Sequence, residues 1–264
     1  MPTPGSSSLR IATLNLRNTS DRWRERRHLV LAQLAELRPD VMGLQEIRRW
    51  PSQARWITRH LNQSLGGELP YQCHLTAKMG LWGLWEGIAV LTSLPIVEQG
   101  SLDLHGQHRV ANWVRVRLAD GQHLEIHHAH LAAGDPVARD RQANLIMDHM
   151  AGGDDIPKVL VGDLNAGPTS STLRVLGERL RSAHALAHGE DPAKTWPTPL
   201  RPGVGTGCVI DYVLVDDHVE VLDARLTFDR AGPTDPTLFA SDHFGIAATV
   251  TVHAKRVGHR GSDG

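Results

Sequence analysis

Val159-Leu160-Val161 runs into Gly162-Asp163-Leu164-Asn165, and no other stretch constrains the fold as strongly. Three apolar residues closed by a glycine read as a short buried strand ending at Gly162. Asp163 and Asn165, two positions apart, then lie at the strand's carboxyl end, where both can face one cavity. An acid with an alternate amide suits a hard divalent cation and a phosphate, since the carboxylate brings charge and the amide adds donors and acceptors without any. Taken alone, Gly-Asp-x-Asn is also an ordinary turn, because all three residue types favour turns. A chemical reading needs partners elsewhere in the chain.

The rest of the chain supplies strands of the same kind. Apolar or alternating runs predict strands over residues 9–16, 40–46, 71–76, 87–91, 96–100, 111–118, 123–130, 208–215, 219–227 and 244–252. Asp120-Gly121 between two of them is the strongest short hairpin signal in the chain. Helical spacing predicts helices over 23–37, closed by Pro39, and over 52–65 and 136–150, with shorter pieces at 171–176 and 179–186. Residues 78–86 form a glycine-rich loop carrying Trp82 and Trp85, and residues 188–207 a long Pro/Gly-rich one. Strands partly in hairpin order, with helices between the others, predict an α/β fold of two mixed β-sheets packed face to face with helices outside. A polar lead (1–8), a single domain (9–254) and a polar tail (255–264) follow.

Charge is nearly balanced, 28 basic against 29 acidic residues, which argues against a dedicated long-track nucleic-acid binder. Lysine occurs only at Lys78, Lys158, Lys194 and Lys255, so positive charge is mostly arginine, suited to bidentate phosphate contact. Cys73 and Cys208 make neither a metal-ligand spacing nor a disulfide framework. No apolar run approaches a membrane span, and the first residues lack the apolar core of a signal peptide, so a cytoplasmic monomer is expected.

Several strands end in a polar residue that chemistry could use. Asn15 ends the first, Glu46 the second, His130 the second hairpin strand, and Asp242-His243 precede the last. Asp211 sits in an apolar run, Val209 to Val215, where an acid is costly unless paired, and His243 is its obvious partner. Each has a bland reading: caps, turns, a solvated acid, or one more histidine beside His127 and His128 in a chain with 16. Together, acids and histidines at the ends of separate strands make what a site at a sheet edge needs.

Thr-Leu-Asn15-Leu-Arg, Leu-Gln-Glu46, Ala-His130-Leu, Gly-Asp163-Leu-Asn165, Ile210-Asp211-Tyr212 and Ser241-Asp242-His243 resemble, in order, the motifs of the endonuclease/exonuclease/phosphatase superfamily, the DNase-like fold. The resemblance implies a four-layer α/β sandwich and Mg²⁺- or Mn²⁺-dependent phosphoester hydrolysis. It implies that Glu46 binds the metal beside Asn15, with Asp242 assisting. Asp163 would orient the attacking water and Asn165 hold a phosphate oxygen. His243, oriented by Asp211, would act as a base or stabilise the transition state. His130 would contact the phosphate or protonate the leaving group, with Glu86 as its acid partner, and Arg109 would bind phosphate. One departure stands out: the run Gly-Thr-Gly-Cys-Val before Ile210-Asp211 lacks the basic residue that members often carry there.

Oxygen ligands favour Mg²⁺ or Mn²⁺ over zinc, leaving a zinc hydrolase built on His128, His130, Asp163 and His243 as a rival, and a non-catalytic binding module as a remoter one. Trp82 and Trp85 are candidate substrate contacts, against a plain reading in which both are buried to clip the loop down. The balanced charge favours a small or chain-end phosphoester, with a nuclease acting on DNA or RNA as the alternative.

Overall fold

The computed structural model describes residues 8–66 and 70–253. In chain order the elements are β1 (Leu9–Asn15), α1 (Trp23–Leu37), β2 (Val41–Arg48), α2 (Gln53–Ser64), β3 (Gln72–Ala77), a 3-10 helix (Gly80–Leu84), β4 (Glu86–Thr92), β5 (Ile96–Asp103), β6 (Val110–Arg117) and β7 (His123–His130). There follow α3 (Pro136–Gly152), β8 (Lys158–Asp163), α4 (Ser171–Leu176), β9 (Arg181–Ser182), α5 (Ala183–His188), β10 (Asp211–Val215), β11 (Val219–Thr227) and β12 (Gly245–Val252). The strands form two six-stranded sheets, ordered β11-β12-β1-β2-β4-β3 and β5-β6-β7-β8-β10-β9. Both are mixed: β1 runs parallel to β2, β7 parallel to β8, and their other neighbours are antiparallel.

Strand alternation explains the layers. Ile11, Val41, Val90, Val114, Ile126, Val159, Val161 and Val213 fill the space between the sheets. The opposite faces carry Leu14, Leu44 and Ala89 against Val30 and Leu34 of α1 and Ile57 and Leu61 of α2. On the other side Leu160 and Leu214 meet Ala143 and Ile146 of α3 and Leu176 of α4. The result is a four-layer α/β sandwich.

The inner face is aliphatic at one end and polar at the other. Along β8, Val159 and Val161 lead to Asp163, and along β10, Val215 and Val213 lead back to Asp211, its register partner. Along β7, Leu124 and Ile126 lead to His128 and His130, and along β1, Leu9 and Ile11 lead to Thr13 and Asn15. Two glycines permit this. A Cβ on Gly162, whose φ is +146°, would lie 1.9 Å from the Ala129 carbonyl oxygen, and one on Gly43 would lie 2.7 Å from the His128 ring.

Several boundaries differ from the sequence reading. The helix expected over 179–186 is β9 followed by α5. Asp211 opens its strand instead of lying inside it, because Thr195 Oγ1 accepts from the Ile210 and Asp211 amides and diverts the preceding chain. β2 continues past Glu46 through a bulge between Leu44 and Ile47, and Glu46 sits in it at φ +48°. The lead up to residue 7 and the tail from residue 254 lie outside the described residues.

Candidate active site

Asp163 is the centre of the polar end. Its Oδ2 accepts from Asn15 Nδ2 at 2.9 Å, and its Oδ1 accepts from the Asn165 amide at 3.0 Å. His130 Nε2 lies 3.4 Å from the same carboxylate and His243 Nε2 4.0 Å. Asn15 Nδ2 also donates to Glu46 Oε1 at 3.2 Å, so one amide ties an acid of the first sheet to an acid of the second. The bulge in β2 aims Glu46 at this amide. Asn165, at φ +50°, donates its Nδ2 to the Leu131 carbonyl at 3.0 Å.

His243 Nδ1 meets Asp211 Oδ2 at 2.9 Å. Burial by itself would push this imidazole down, but the charges of Asp211, Asp163 and Asp242 outweigh it and raise His243 to about 10. Burial raises Asp163 as well, and the facing Asp211 carboxylate adds to the effect. His130 moves the other way. Burial, with the Arg109, Lys78 and His243 charges, holds it well below the ordinary histidine value, and its Nδ1 has no partner. Arg109 is buried with Nε and Nη1 unpaired, close enough to Asp163, Glu46 and Glu86 to feel all three charges. A buried guanidinium without a counter-ion of its own is a ready receptor for an anion.

The structure therefore brings Asn15, Glu46, Arg109, His130, Asp163, Asn165, Asp211 and His243 together. Asp242 is adjoining: Arg17 Nε stands 3.5 Å and Arg201 Nη1 3.7 Å from its Oδ2, which also receives Trp196 Nε1 at 3.4 Å. The positive charge missing before Ile210 thus enters this side of the site from Arg201. Two expectations fail. Glu86 does not partner His130; it ion-pairs with Lys78 and accepts from Asn18 Nδ2 at 3.5 Å. Trp82 and Trp85 are not buried clips but are about 60% exposed. They stand on the 3-10 helix and its end, next to Glu86 at the edge of the site.

His128, a ligand in the zinc alternative, lies one layer deeper. Its Nε2 takes Gln45 Nε2 at 2.6 Å and its Nδ1 meets Asn112 Oδ1 at 3.0 Å, so neither nitrogen is left for a metal. Burial pushes it down to about 3, which keeps it neutral. Sequence reasoning also missed Arg26. This fully buried guanidinium of α1 donates to the carbonyls of Leu16 (3.1 Å), Ser20 (2.5 Å), Asp21 (2.6 Å) and Ala240 (2.7 Å). It clamps the loop after Asn15 to the loop before Asp242, aided by Ser241 Oγ donating to the Asn15 carbonyl at 2.5 Å. In the sequence it lies within the short basic run Arg24 to Arg27, with nothing local to set it apart.

Asp163, Asp211 and His243 also form a group whose ligand atoms all lie within 4.8 Å of one another, a spacing able to hold a metal ion. Two facing sheets that converge on buried acids, paired imidazole and an unpaired arginine define the DNase-like class of α/β protein. The chain belongs to the endonuclease/exonuclease/phosphatase family, whose model matches residues 12–243. It is 25% identical over 260 residues to Nocturnin from Xenopus laevis, covering 85% of this chain but 64% of that protein. In fold it is similar to a family member from Bacteroides thetaiotaomicron, with a TM-score of 0.76 at 20% identity over 94% of this chain and 99% of the other. It also resembles a mannosyl-6-phosphatase of the same organism, with a TM-score of 0.76 at 19% identity over 92% and 99%.

Proposed function

We propose that residues 9–254 act as a divalent-metal-dependent hydrolase of a small or chain-end phosphoester. The observation that carries this is the buried Arg109 guanidinium, unpaired and within range of Asp163 and Glu46. A phosphoryl group held there would face Asp163, His130 and His243. Water would attack phosphorus, the ester P–O bond would break, and the alcohol would leave protonated. Names of similar proteins, a mannosyl-6-phosphatase among them, agree with phosphoester chemistry.

The roles follow from charge state. His243, held charged by Asp211, presents Nε2–H to a phosphoryl oxygen and stabilises the charge that builds in the transition state. Its raised value favours this over a role as base. Asp163 accepts a proton from, or orients, the attacking water, and Asn15 fixes its Oδ2. Neutral His130 contacts the phosphate, and Asn165 keeps its Oδ1 and one N–H for it.

The donor set fits a hard cation. Buried carboxylates outnumber the imidazolium, and Asp211 Oδ1 has no partner. His243 and Asp211 are committed to each other, so Glu46, with Asn15 beside it and Asp242 assisting, is the better ligand set. When bound, Mg²⁺ or Mn²⁺ supplies Lewis acidity at the phosphoryl oxygen and a more acidic water. Glu46→Ala should weaken Mn²⁺ binding at least tenfold by calorimetry, on the order seen when a ligand's supporting groups are lost. An unchanged affinity would take Glu46 out of the site. EDTA-treated protein should regain turnover with Mg²⁺ or Mn²⁺ and not with Zn²⁺.

A further inference from the structure

The edge of the site carries an uncovered apolar rim. On and around the 3-10 helix Leu81 is 80% exposed, Trp82 60%, Trp85 59%, Leu84 58% and Met79 41%, and the neighbouring Trp50 adds 76%. Most of the large exposed hydrophobics among the described residues are gathered here. A contiguous apolar patch of this kind on a water-facing surface marks a binding site.

The main chain of the rim is tied to its neighbours at several points. The Lys78 amide donates to the Glu86 carbonyl at 3.1 Å, that of Met79 to His108 at 3.1 Å, and that of Arg49 to Trp85 at 3.0 Å. The Arg49 guanidinium donates to the Gly83 carbonyl. A Cβ on Gly83 would sit 2.0 Å from the Lys78 carbonyl oxygen, so the segment is closed tightly on its own stem.

The rim is also continuous with the site. Its two ends, Lys78 and Glu86, are ion-paired; the charge of Lys78 reaches His130, and that of Glu86 reaches Arg109. A molecule anchored by its phosphoryl group at Arg109 leaves the site over this edge. The surface there is apolar, with Leu81, Leu84 and Met79 set among the indoles of Trp50, Trp82 and Trp85. Trp82 has His108 as its ring neighbour, at 6.3 Å and 40°, and Trp85 has no ring partner among the described residues.

Building on the phosphoester reading, we propose that this rim binds the apolar part of the substrate, an alkyl or aryl group esterified to the phosphate. The occupant is a dispersed amphiphilic ester, a small molecule whose phosphoryl group can reach the buried Arg109 while its apolar group lies on the rim.

The test compares octyl p-nitrophenyl phosphate, below its micelle concentration, with methyl p-nitrophenyl phosphate. The wild type should favour the octyl ester by about tenfold or more in kcat/KM, the scale of a few methylenes in an apolar site. Leu81→Ser/Leu84→Ser and Trp82→Ala should bring that ratio to within about twofold of unity, chiefly through KM. These side chains are exposed, so melting temperatures should hold. Equal use of both esters by the wild type, or an undiminished preference in both variants, would overturn the proposal. If neither diester is hydrolysed, the diesterase form of the phosphoester reading fails, and binding of octyl phosphate against inorganic phosphate still decides on the rim. Tighter octyl phosphate binding lost in the variants supports it; equal binding overturns it. Cosedimentation with phosphatidylcholine vesicles doped with phosphatidylserine checks the occupant: an octyl preference without retention supports a dispersed ester, and retention that needs Leu81 and Leu84 overturns it in favour of membrane lipid.

Discussion

Asp211 and His243 show how two residues far apart in the chain acquire one function. Asp211 begins an inward-facing strand position that would otherwise be valine, and its carboxylate has one hydrogen-bonded partner, His243 Nδ1 at 2.9 Å. Asp211→Asn keeps the shape but removes the charge that holds the imidazole protonated, and it can leave the ring in the wrong tautomer. Turnover should fall by about 10²–10⁴-fold, the range for a mispositioned acid–base group, with a much smaller change in melting temperature. Full activity would show that the pair only packs. The same pair predicts a pH dependence of stability. The folded value of His243, about 10, lies above the ordinary one of about 6.5. The folded state therefore binds more protons between those values, and its stability falls as pH rises. The contribution is complete below about pH 6.5 and is lost as pH climbs through about 10. Metal-free protein melted across this range should lose more than His243→Asn does; parallel curves would contradict the assignment.

At the level of elements, the loops of the site are pinned from behind. Arg26 reaches from α1 to four carbonyls in two loops, and burial lowers it to about 10 without neutralising it near pH 7. Arg26→Met fills much of the same volume but strands those acceptors. It should cost roughly 3 kcal/mol in urea unfolding, as losing a buried network does, and turnover should fall with Asn15 and Asp242 loosened together. A loss under about 0.5 kcal/mol, typical of surface changes, would show that the carbonyls find other donors. Arg26 also marks where the sequence stopped being readable. Strands such as β7 and β8 were plain because apolar alternation runs straight into a polar end, and Asn15, Glu46, His130, Asp163 and His243 were found that way. Nothing local distinguishes Arg26 from Arg24 or Arg27. The bulge that carries Glu46, the Thr195 contact that starts β10 at Asp211, and the exposure of Trp82 and Trp85 all depend on residues distant in sequence, which periodicity does not register. Glu86 was misassigned for the same reason, since its partner Lys78 lies across the base of the rim.

For the molecule as a whole, the question is whether its arginines form a track for a nucleic-acid backbone. Several are already neutralised. Arg115 meets Glu98, Glu125 and Asp154; Arg22 meets Glu25 and Asp235; Arg17 meets Asp21 and Asp242; and Arg230 meets Glu36. Arg26 is internal. Arg24, Arg27 and Arg48 do gather, around a cavity of about 660 Å³ beside Trp23 and Trp56, with the Arg27 guanidinium 5.2 Å from the Trp56 ring. That is a local pocket of ligand size and not a groove along which a duplex backbone could run. Directly beside it stands the apolar rim, since Arg48 pairs with Glu86 across β2 and β4 and the Arg49 amide donates to the Trp85 carbonyl, and exposed indoles and leucines there interrupt any row of cations. A duplex binder that neutralises six to ten phosphates loses about 10³–10⁵ in affinity between low and moderate salt. This protein should show a far shallower dependence, nick supercoiled plasmid slowly, and turn over a small phosphodiester faster at equal enzyme. Arg24→Ala/Arg27→Ala should then change the salt response little. Rapid nicking with a steep salt slope that this variant flattens would instead make the arginine cavity the start of a nucleic-acid path and identify the protein as a nuclease.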